Sequence, residues 1–382
     1  MEQKIKKKII ITTDTLFHDK EGITRFLQEV IPELSSRYDI TLIASQYQGH
    51  SLPEKFHGAT VVPIPVLKRI SIAGHSPAKV LPSHVMPYVK NADLVWINTM
   101  SPIGAATVIA AQRLKKPVIA YTHSIEWELF SHVTLKSKML KKICTYLIAR
   151  VGKYLYNKCD LLMVPSKATA AEFTKQGIHA KKVIVPLGVD CDTFVPPITK
   201  TAAKQKLGIQ PRKIVIGYCG RISKEKDLPT LAKAFAALQR RHLNLFLLIV
   251  GDGMRRDITR SVKRDVCITG FVNDVVPYLQ AMDLFVLPSL TETTSLATLE
   301  AMSCGVPPVA TPVGRITEYI EHNFNGVLFP RQNIDVLQAR IERLVTRPEI
   351  RERMGNLARK TITTKYSWEK TIVAIEKVLS RY

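Results

Sequence analysis

Two glutamates, Glu292 and Glu300, flank a polar turn that lies between a short apolar run and a helical pattern. The run Leu284–Leu287 is typical of a strand buried on both faces, and any of Thr291, Thr293, Thr294 and Ser295 in the turn could cap a helix. A helix N-terminus offers free N–H groups and a partial positive charge, which suit a phosphate. Two carboxylates beside a phosphate site suit a sugar nucleotide, because each accepts hydrogen bonds from neighbouring hydroxyls. By residue type alone, exposed surface acids would be the ordinary interpretation.

Short apolar runs followed by polar turns and helical patterns recur along the chain, which predicts parallel sheets with crossover helices. With 382 residues, 46% of them hydrophobic, the chain is long enough for two domains with separate cores. Ligands of such α/β domains bind past the carboxyl ends of the strands. The other predicted strands are Lys8–Thr13, Ile40–Ala44, Leu94–Ile97, Val118–Tyr121, Asp160–Pro165, Val183–Val185, Ile214–Tyr218, Leu245–Val250, Cys267–Gly270 and Pro307–Thr311.

The segment around the two glutamates resembles the Glu-x7-Glu signature of retaining GT-B glycosyltransferases, especially family four. The matching positions are Pro288-Ser289, Glu292, Leu296, Glu300-Ala301-Met302, Gly305, Pro307 and Val309-Ala310-Thr311. Thr293-Thr294-Ser295 stands where the family usually has Gly-Phe-Gly. The resemblance implies that Glu292 is catalytic and orients the hexose, and that Glu300 holds the ribose. It also implies that the backbone of Thr294, Ser295 and Leu296 faces the donor.

A second motif in the C-terminal half runs from Gly220 to Asp227 and resembles the family's Gly-Arg-Leu…Glu-Lys-Gly. The resemblance implies that Gly220, Arg221 and Lys226 bind the donor diphosphate. The chemistry agrees, because an Arg can fork onto phosphate oxygens and a Lys supplies a mobile point charge. Val272 falls in the region that lines the base in the family, largely through backbone groups. Without the resemblance, ordinary surface basic residues would explain Arg221 and Lys226.

In the N-terminal half, two single residues stand at predicted strand ends or turns. His123 directly follows a strand, where a lone His is more often structural; the resemblance implies a catalytic place beside the donor sugar. Gly22 precedes a helical pattern, and its resemblance to the family's glycine loop implies contact with the donor. A turn residue with positive φ is the other interpretation of Gly22. Trp127 and Phe130 fit either an acceptor surface or the core.

The segment Lys136–Lys158 carries seven Lys or Arg and no Asp or Glu. Its apolar residues fall on one helical face, namely Leu140, Ile143, Leu147, Val151 and Tyr154. We assign Lys138, Lys141, Lys142 and Lys153 to the other side, as contacts with an anionic membrane surface. A basic amphipathic helix suits such an interface. A domain helix with its apolar face in the core is the alternative. The apolar, proline-rich connection over residues 63–90 also suits a lipid acceptor.

Charge and cysteine content restrict the partners and the compartment. The net charge is +23, which favours anionic partners. Because no nucleic-acid-binding signature is present, nucleic acid is not expected as a partner. No apolar run is long enough to span a membrane, and the N-terminus lacks the features of a signal peptide. Six scattered cysteines argue against a metal cluster and for a reducing compartment. We therefore expect a cytoplasmic protein, peripheral on the inner face of the cell membrane.

The resemblance implies an α/β protein of GT-B fold with two Rossmann-like doubly wound domains and a C-terminal helix that crosses back. We expect an acceptor domain over 1–190, a linker over 191–212, a nucleotide-sugar domain over 213–363 and the terminal helix over 364–382. The expected activity is retaining transfer of a hexose from a UDP- or GDP-sugar to a membrane lipid such as diacylglycerol, without cofactor or metal. Assembly of a surface polysaccharide or lipid-linked oligosaccharide is one alternative. A non-catalytic basic protein that binds membranes or nucleic acid is another.

Overall fold

The structure, a computed structural model, describes residues 6–14, 16, 22–47, 51–67, 76–123, 138–254, 256–292 and 294–382. At residues 138, 140, 141, 256, 257 and 259 it describes only the backbone. Trp127 and Phe130 lie outside the described residues. The chain divides into two compact units. The first comprises Met1–Pro186 and Ile372–Tyr382, and the second comprises Leu187–Thr371.

An eight-stranded sheet forms the centre of the first unit, in the order β3-β4-β2-β1-β5-β6-β7-β8. Neighbouring strands are parallel, except that β3 and β4 are antiparallel. The strands are β1 Lys7–Thr13, β2 Tyr38–Gln46, β3 Lys55–Phe56, β4 Ala59–Pro65, β5 Leu94–Ile97, β6 Val118–Tyr121, β7 Leu161–Val164 and β8 Lys182–Ile184. The strands β5, β6 and β7 are buried throughout, as expected for a sheet covered on both faces.

Apolar helix residues of the first unit, among them Val85, Val108 and Phe173, pack with the strands in a common core. Two begin at serine caps: the Ser101 hydroxyl accepts from the Gly104 N–H, and the Ser166 hydroxyl accepts from the Thr169 N–H. The helices are α1 Gly22–Ser35, α2 Pro82–Lys90, α3 Pro102–Arg113, α4 Lys138–Tyr156 and α5 Lys167–Lys175.

A six-stranded, all-parallel sheet forms the centre of the second unit, in the order β11-β10-β9-β12-β13-β14. Its strands are β9 Ile214–Cys219, β10 Leu245–Val250, β11 Val266–Ile268, β12 Leu284–Leu287, β13 Pro308–Ala310 and β14 Val327–Leu328. The helices from here to the chain end are α6 Lys200–Lys206, α7 Leu228–Gln239, α8 Arg256–Ser261, α9 Val276–Ala281, α10 Leu296–Ser303, α11 Ile316–Tyr319, α12 Ile334–Thr346, α13 Pro348–Lys365 and α14 Trp368–Leu379. A single 3₁₀ turn covers Lys224–Lys226.

The predicted strands are confirmed, with ends that shift by at most two residues. The predicted linker over 191–212 contains α6, whose Lys204 is buried. Its Nζ atom lies 2.7 Å from Oδ2 of Asp283, immediately before β12. This buried ion pair attaches the segment to the second sheet. The predicted domain boundaries remain a prediction.

Each sheet has one point where the strand order reverses. In the first sheet it lies between β1 and β5, and in the second between β9 and β12. The loops that leave two such strands diverge, so a crevice opens at their carboxyl ends, where α/β proteins bind ligands. The fold therefore directs attention to the segments after β1, β5, β9 and β12.

Candidate active site

The crevice of the second unit is bounded by the loops after β9 and β12. At the end of β9, Gly220 adopts a φ of 142°, and Gly251, at the end of β10, a φ of 139°. A Cβ atom on Gly251 would collide with the carbonyl oxygen of Gly220. Gly251 therefore needs glycine because the two turns approach each other too closely for a side chain, and Gly220 needs glycine because of its positive φ. The close approach fixes the course of the chain into Arg221.

Lys226 and Glu292, from these two loops, form an ion pair. The Lys226 Nζ atom lies 2.6 Å from Oε1 of Glu292, and the two side chains are 21% and 7% exposed. The Ser289 hydroxyl donates to the same carboxylate oxygen at 2.7 Å. The structure thus brings together one residue predicted to bind diphosphate and one predicted to orient the hexose. Their roles remain predictions.

Arg221 lies at the open side of the same crevice, with 74% of its side chain exposed. Its Nη2 atom is 3.2 Å from Oε1 of Glu225, which also accepts from the Ser223 hydroxyl at 2.5 Å. Burial raises the pKa of Glu225, but the Ser223 hydrogen bond, with the charges of Arg221 and Lys226, outweighs burial and lowers it. Glu225 is therefore an anion that holds Arg221 at the surface of the site, where phosphate oxygens can compete for the guanidinium.

The N-terminus of α10 completes the crevice. The Ser295 hydroxyl accepts from the Thr298 N–H at 3.3 Å and from the Thr298 hydroxyl at 2.8 Å, so Ser295 is the one of the four candidate residues that caps the helix. Leu296 is the first helical residue and Thr294 is half-buried. Glu300 is 3% exposed on the inner side of α10, which contradicts the interpretation of it as an exposed surface acid. Its contact with a ribose remains a prediction.

Two residues beside this crevice carried no signal in the sequence. Arg315, just before α11, is 4% exposed, and its Nη1 atom lies 3.2 Å from the Thr294 hydroxyl. Tyr319, at the end of α11, is equally buried. Neither belongs to a motif identified above, and only the packing of α11 against the loop after β12 makes them neighbours of the site.

His123 lies at the carboxyl end of β6 in the first unit. Its Nε2 atom is 3.1 Å from Oδ1 of Asn98, and its ring packs against Phe26 and Tyr121, with centroids 4.8 and 4.6 Å away. Burial lowers the pKa of His123 from 6.5 to about 3. The imidazole is therefore neutral near pH 7. One ring nitrogen donates a hydrogen bond and the other accepts one, but the ring does not supply a positive charge.

The crevice between β1 and β5 holds further polar side chains that the sequence interpretation missed. Asp14 accepts from the Ser45 hydroxyl at 2.7 Å and from the Thr99 hydroxyl at 3.2 Å. Asn98 is 1% exposed, and its Nδ2 atom has no hydrogen-bond partner within the described part of the chain. The positions directly after β1 and β5 were a usable signal, because polar residues that follow buried strands collect at one sheet edge.

Two further residues predicted to bind the donor, Gly22 and Val272, lie in different units of the chain. Gly22 is the exposed first residue of α1, in the first unit. Val272 follows β11 and packs, half-buried, against the core of the second unit. Their predicted contacts with the donor remain predictions.

Helix α4 exposes an apolar face. Ile143, Leu147, Val151 and Tyr154 are 44%, 52%, 56% and 61% exposed, so the alternative that this face lies in the core is wrong for them. The side that packs inward instead includes Ile148, Ala149, Leu155 and Tyr156. Lys142 is exposed and Lys153 half-buried, whereas the side chains of Lys138 and Lys141 are not described. The predicted membrane contacts remain predictions.

Within the described ranges, no helix is both long and apolar enough to cross a bilayer. The same residues include no group of three or more His, Cys, Asp or Glu side chains arranged to hold a metal ion.

Comparison with known proteins agrees with this architecture. Residues 199–361 match the model of the family Glycosyl transferases group 1, and residues 20–193 match that of Glycosyltransferase Family 4. The crystal structure of Anabaena Alr3699/HepE in complex with UDP has a TM-score of 0.81 at 20% identity, covering 99% of this chain and 100% of that one. This likeness shows that the chain has the GT-B fold expected above.

Two curated relatives align over most of both chains. One is the GDP-mannose-dependent monoacylated α-(1-6)-phosphatidylinositol monomannoside mannosyltransferase of Corynebacterium glutamicum, 27% identical, with 92% of this chain and 88% of the relative covered. The other is the α-monoglucosyldiacylglycerol synthase of Acholeplasma laidlawii, 24% identical, with 93% and 89% covered. With both family models matched and the GT-B fold in place, the chain belongs to the family four, group 1 glycosyltransferases.

Proposed function

We propose that this glycosyltransferase moves a hexose from a UDP- or GDP-sugar to a membrane lipid such as a diacylglycerol, with retention of anomeric configuration. The observation that carries the donor half of this proposal is the Lys226–Glu292 pair at the reversal point of the second sheet. It joins a cation suited to phosphate and a carboxylate suited to sugar hydroxyls in one crevice. The two relatives described above, each with a glycolipid in its name, support the lipid acceptor.

In this proposal the second unit binds the donor. Arg221 and Lys226 contact the diphosphate, and the N-terminus of α10 adds its partial positive charge. Glu292 accepts hydrogen bonds from the hexose, and Glu300 from the ribose. His123, which is neutral, offers a hydrogen bond to the sugar. Gly22, Gly220, Val272 and the backbone of Thr294–Leu296 contribute contacts through main-chain groups.

The proposed chemistry needs no covalent nucleophile from the protein. The bond between the anomeric carbon and the phosphate oxygen breaks, and the oxygen leaves with the electron pair. The acceptor hydroxyl attacks the anomeric carbon on the same face and passes its proton to the departing phosphate. Retention agrees with the α-products for which both relatives are named, since the common nucleotide-linked hexoses are themselves α-linked.

The same cationic groups support a reaction without a divalent metal. The negative charge that develops on the departing diphosphate falls next to Lys226, Arg221 and the α10 N-terminus. Fixed positive groups at the place where charge develops are the usual protein means of stabilising a leaving group. We propose that they serve instead of magnesium or manganese, and that no cofactor takes part.

The lipid acceptor is supported by the surface of the first unit. The exposed face of α4 presents four large apolar side chains beside basic residues, and Leu81, just before α2, is 60% exposed. Apolar side chains that enter the interface and lysines that meet anionic headgroups together give reversible binding. We therefore propose a peripheral protein on the cytoplasmic face of the membrane, where a lipid hydroxyl reaches the acceptor side of the enzyme.

A donor-and-lipid panel tests the proposal. Purified protein is incubated with UDP-glucose, UDP-galactose or GDP-mannose and diacylglycerol in vesicles that contain phosphatidylglycerol. Lipid products are identified by mass spectrometry and their anomeric configuration by NMR. We expect one donor to yield an α-glycosyl lipid. Transfer to a glycan acceptor but not to lipid would favour polysaccharide or oligosaccharide assembly, and absence of both transfer and donor hydrolysis would favour a non-catalytic protein.

A further inference from the structure

A buried guanidinium lies next to the donor loop, which we define as Glu292 together with residues 294–296. Arg315 is 4% exposed, and its Nε atom lies 3.1 Å from Oε2 of Glu318. Its Nη1 atom lies 3.2 Å from the Thr294 hydroxyl. A charged group is costly to bury unless it is paired, and the ion pair with Glu318 offsets the cost of burying the Arg315 guanidinium. The contact with Thr294 then joins this anchored cation to the donor loop.

The residues around Arg315 hold it in place. The Tyr366 hydroxyl donates to the backbone carbonyl of Glu318 at 3.0 Å, and the Tyr319 and Tyr366 rings lie edge to face, 6.0 Å apart. The Tyr319 hydroxyl has no hydrogen-bond partner of good geometry among the residues described. Burial chiefly, and then the Glu292 carboxylate, raise the pKa of Tyr319 well above its usual range, while the Ser295 N–H opposes them. The phenol is thus a neutral group close to the donor loop.

The start and end of the segment between β12 and α10 are fixed by other contacts. Near its start, the Thr311 hydroxyl donates to the Ser289 carbonyl at 2.6 Å, and Arg331 donates to the Leu290 carbonyl at 3.2 Å. At its end, Ser295 caps α10. Thr294 lies between these anchors, and its hydroxyl accepts a hydrogen bond from the buried Arg315.

We propose that Arg315 is a positioning residue that sets the backbone of the donor loop, through Thr294, for the hexosyl phosphate of the nucleotide sugar. This inference rests on the proposed function. Arg315 acts on the loop and does not touch the nucleotide, which is assigned to Arg221, Lys226 and Glu300. Its loss should therefore impair use of the sugar donor while sparing affinity for the nucleoside diphosphate alone.

The test compares Arg315→Gln, Arg315→Lys, Thr294→Val and the Arg315→Gln/Thr294→Val double variant. Steady-state kinetics with the donor found in the panel give kcat and KM, and calorimetry gives the Kd for UDP or GDP. Because a hydrogen bond to a charged group is lost, we expect Arg315→Gln to lower kcat/KM about tenfold or more. The Kd of the nucleotide should stay within about twofold, since no proposed nucleotide contact is removed. The kcat/KM of Arg315→Lys should lie between those of the wild type and Arg315→Gln, because lysine keeps the charge but not the planar guanidinium.

Thr294→Val removes the hydroxyl but little volume, so it tests the contact even if Arg315→Gln does not fold. Its effect should not add to that of Arg315→Gln, as expected for two partners of one interaction. Arg343→Gln is the matched control, because it removes an exposed guanidinium whose partner is Asn323, 2.9 Å away. Wild-type kinetics in Thr294→Val, additive losses, or an equal loss of nucleotide affinity would overturn the inference alone. A wild-type protein inactive on every donor would overturn the proposed function, and the inference with it.

Discussion

The Nζ atom of Lys226 lies 2.6 Å from Oε1 of Glu292, although the two residues belong to different crossover loops of the second unit. Because Glu292 is 7% exposed and also accepts from Ser289, its carboxylate is held in one orientation before any donor binds. The lysine is more accessible and can turn part of its charge toward a diphosphate. A single pair thus links the group proposed to hold the hexose to a group proposed to hold the leaving phosphate.

Replacement of Glu292 should abolish most of the turnover. Glu292→Ala removes the proposed hexose contact and leaves Lys226 without its partner, so we expect kcat to fall by roughly 100-fold, as when a preorganised active-site group is deleted elsewhere. Glu292→Gln keeps a hydrogen-bonding oxygen but not the charge, so its kcat should lie between those of the wild type and Glu292→Ala. Transfer assays give kcat, and Glu321→Gln, an exposed acid of the same unit, is the control. Wild-type turnover in Glu292→Ala would show that Glu292 has no role in the donor site.

Arg221→Ala should act on nucleotide binding. A charge-assisted hydrogen bond is worth about 1.5–3 kcal/mol, so the Kd for the nucleoside diphosphate should rise roughly 10- to 100-fold. Calorimetry with UDP and GDP measures this change directly. Lys224→Ala removes a neighbouring exposed cation, in the 3₁₀ turn that follows Arg221, and should leave the Kd nearly unchanged. An equal rise of the Kd in both variants would indicate that Arg221 acts only through its general positive charge and not through a specific phosphate contact.

Chelation should leave transfer intact. If Arg221, Lys226 and the α10 N-terminus neutralise the diphosphate, EDTA or EGTA in excess should not change kcat or KM. The same assay with added magnesium or manganese provides the comparison. Complete loss of transfer in the chelator, restored by either ion, would contradict the metal-independent mechanism.

His123 should make the protein less stable in acid. Its pKa falls from 6.5 to about 3 on folding, so the unfolded chain binds a proton near pH 6.5 that the folded protein does not. This contribution to stability is complete above pH 6.5 and is lost as the pH falls toward 3, with a slope of at most about 1.4 kcal/mol per pH unit. Urea unfolding of wild type and His123→Phe measures it. The free energy of unfolding of the wild type, relative to that of His123→Phe, should fall from pH 7 to pH 5. It should stay constant from pH 7 to pH 9. Parallel curves below pH 6.5 would refute the shift.

Helix α4 should bind anionic vesicles. Each engaged lysine contributes about 1 kcal/mol, and salt screens the attraction within a Debye length. We expect the protein to sediment with phosphatidylglycerol vesicles, to be released partly by high salt, and to bind neutral vesicles poorly. Replacing Lys138, Lys141, Lys142 and Lys153 by Gln should weaken this binding and lower lipid glycosylation more than donor hydrolysis.

Two further variants separate charge from position in this experiment. Replacing the exposed Lys55, Lys90, Lys167 and Lys175 by Gln changes the net charge equally but lies outside α4, so it should keep most of the binding. Replacing Ile143, Leu147 and Val151 by Ser should weaken binding even in low salt, because it removes the apolar face. If the α4 lysine variant bound as well as wild type, α4 would be an ordinary domain helix.

The sequence by itself determined most of the strands, though not β3, β4 or β14, together with the class of fold and the motif positions. Leu284–Leu287 and Leu245–Val250 are strands with the predicted bounds, because a run of buried apolar residues between turn residues is a local signal. Ser295 is the cap of α10 for a similarly local reason, since its side chain meets an N–H three residues on. Such features depend on residues that are close in the chain, so they can be predicted from the local sequence.

Tertiary structure alone decided which of these features meet. Lys226 reaches Glu292 because β9 and β12 pair in parallel, which brings together residues that are far apart in sequence. Periodicity shows that α4 has an apolar face, but only the packing of the first unit shows that Ile143 and Tyr154 stay exposed. Arg315 reads as one more basic residue in a chain with many. It becomes a buried neighbour of the donor loop because the segment after β13 folds against the segment after β12, and a long-range contact leaves no trace in local sequence.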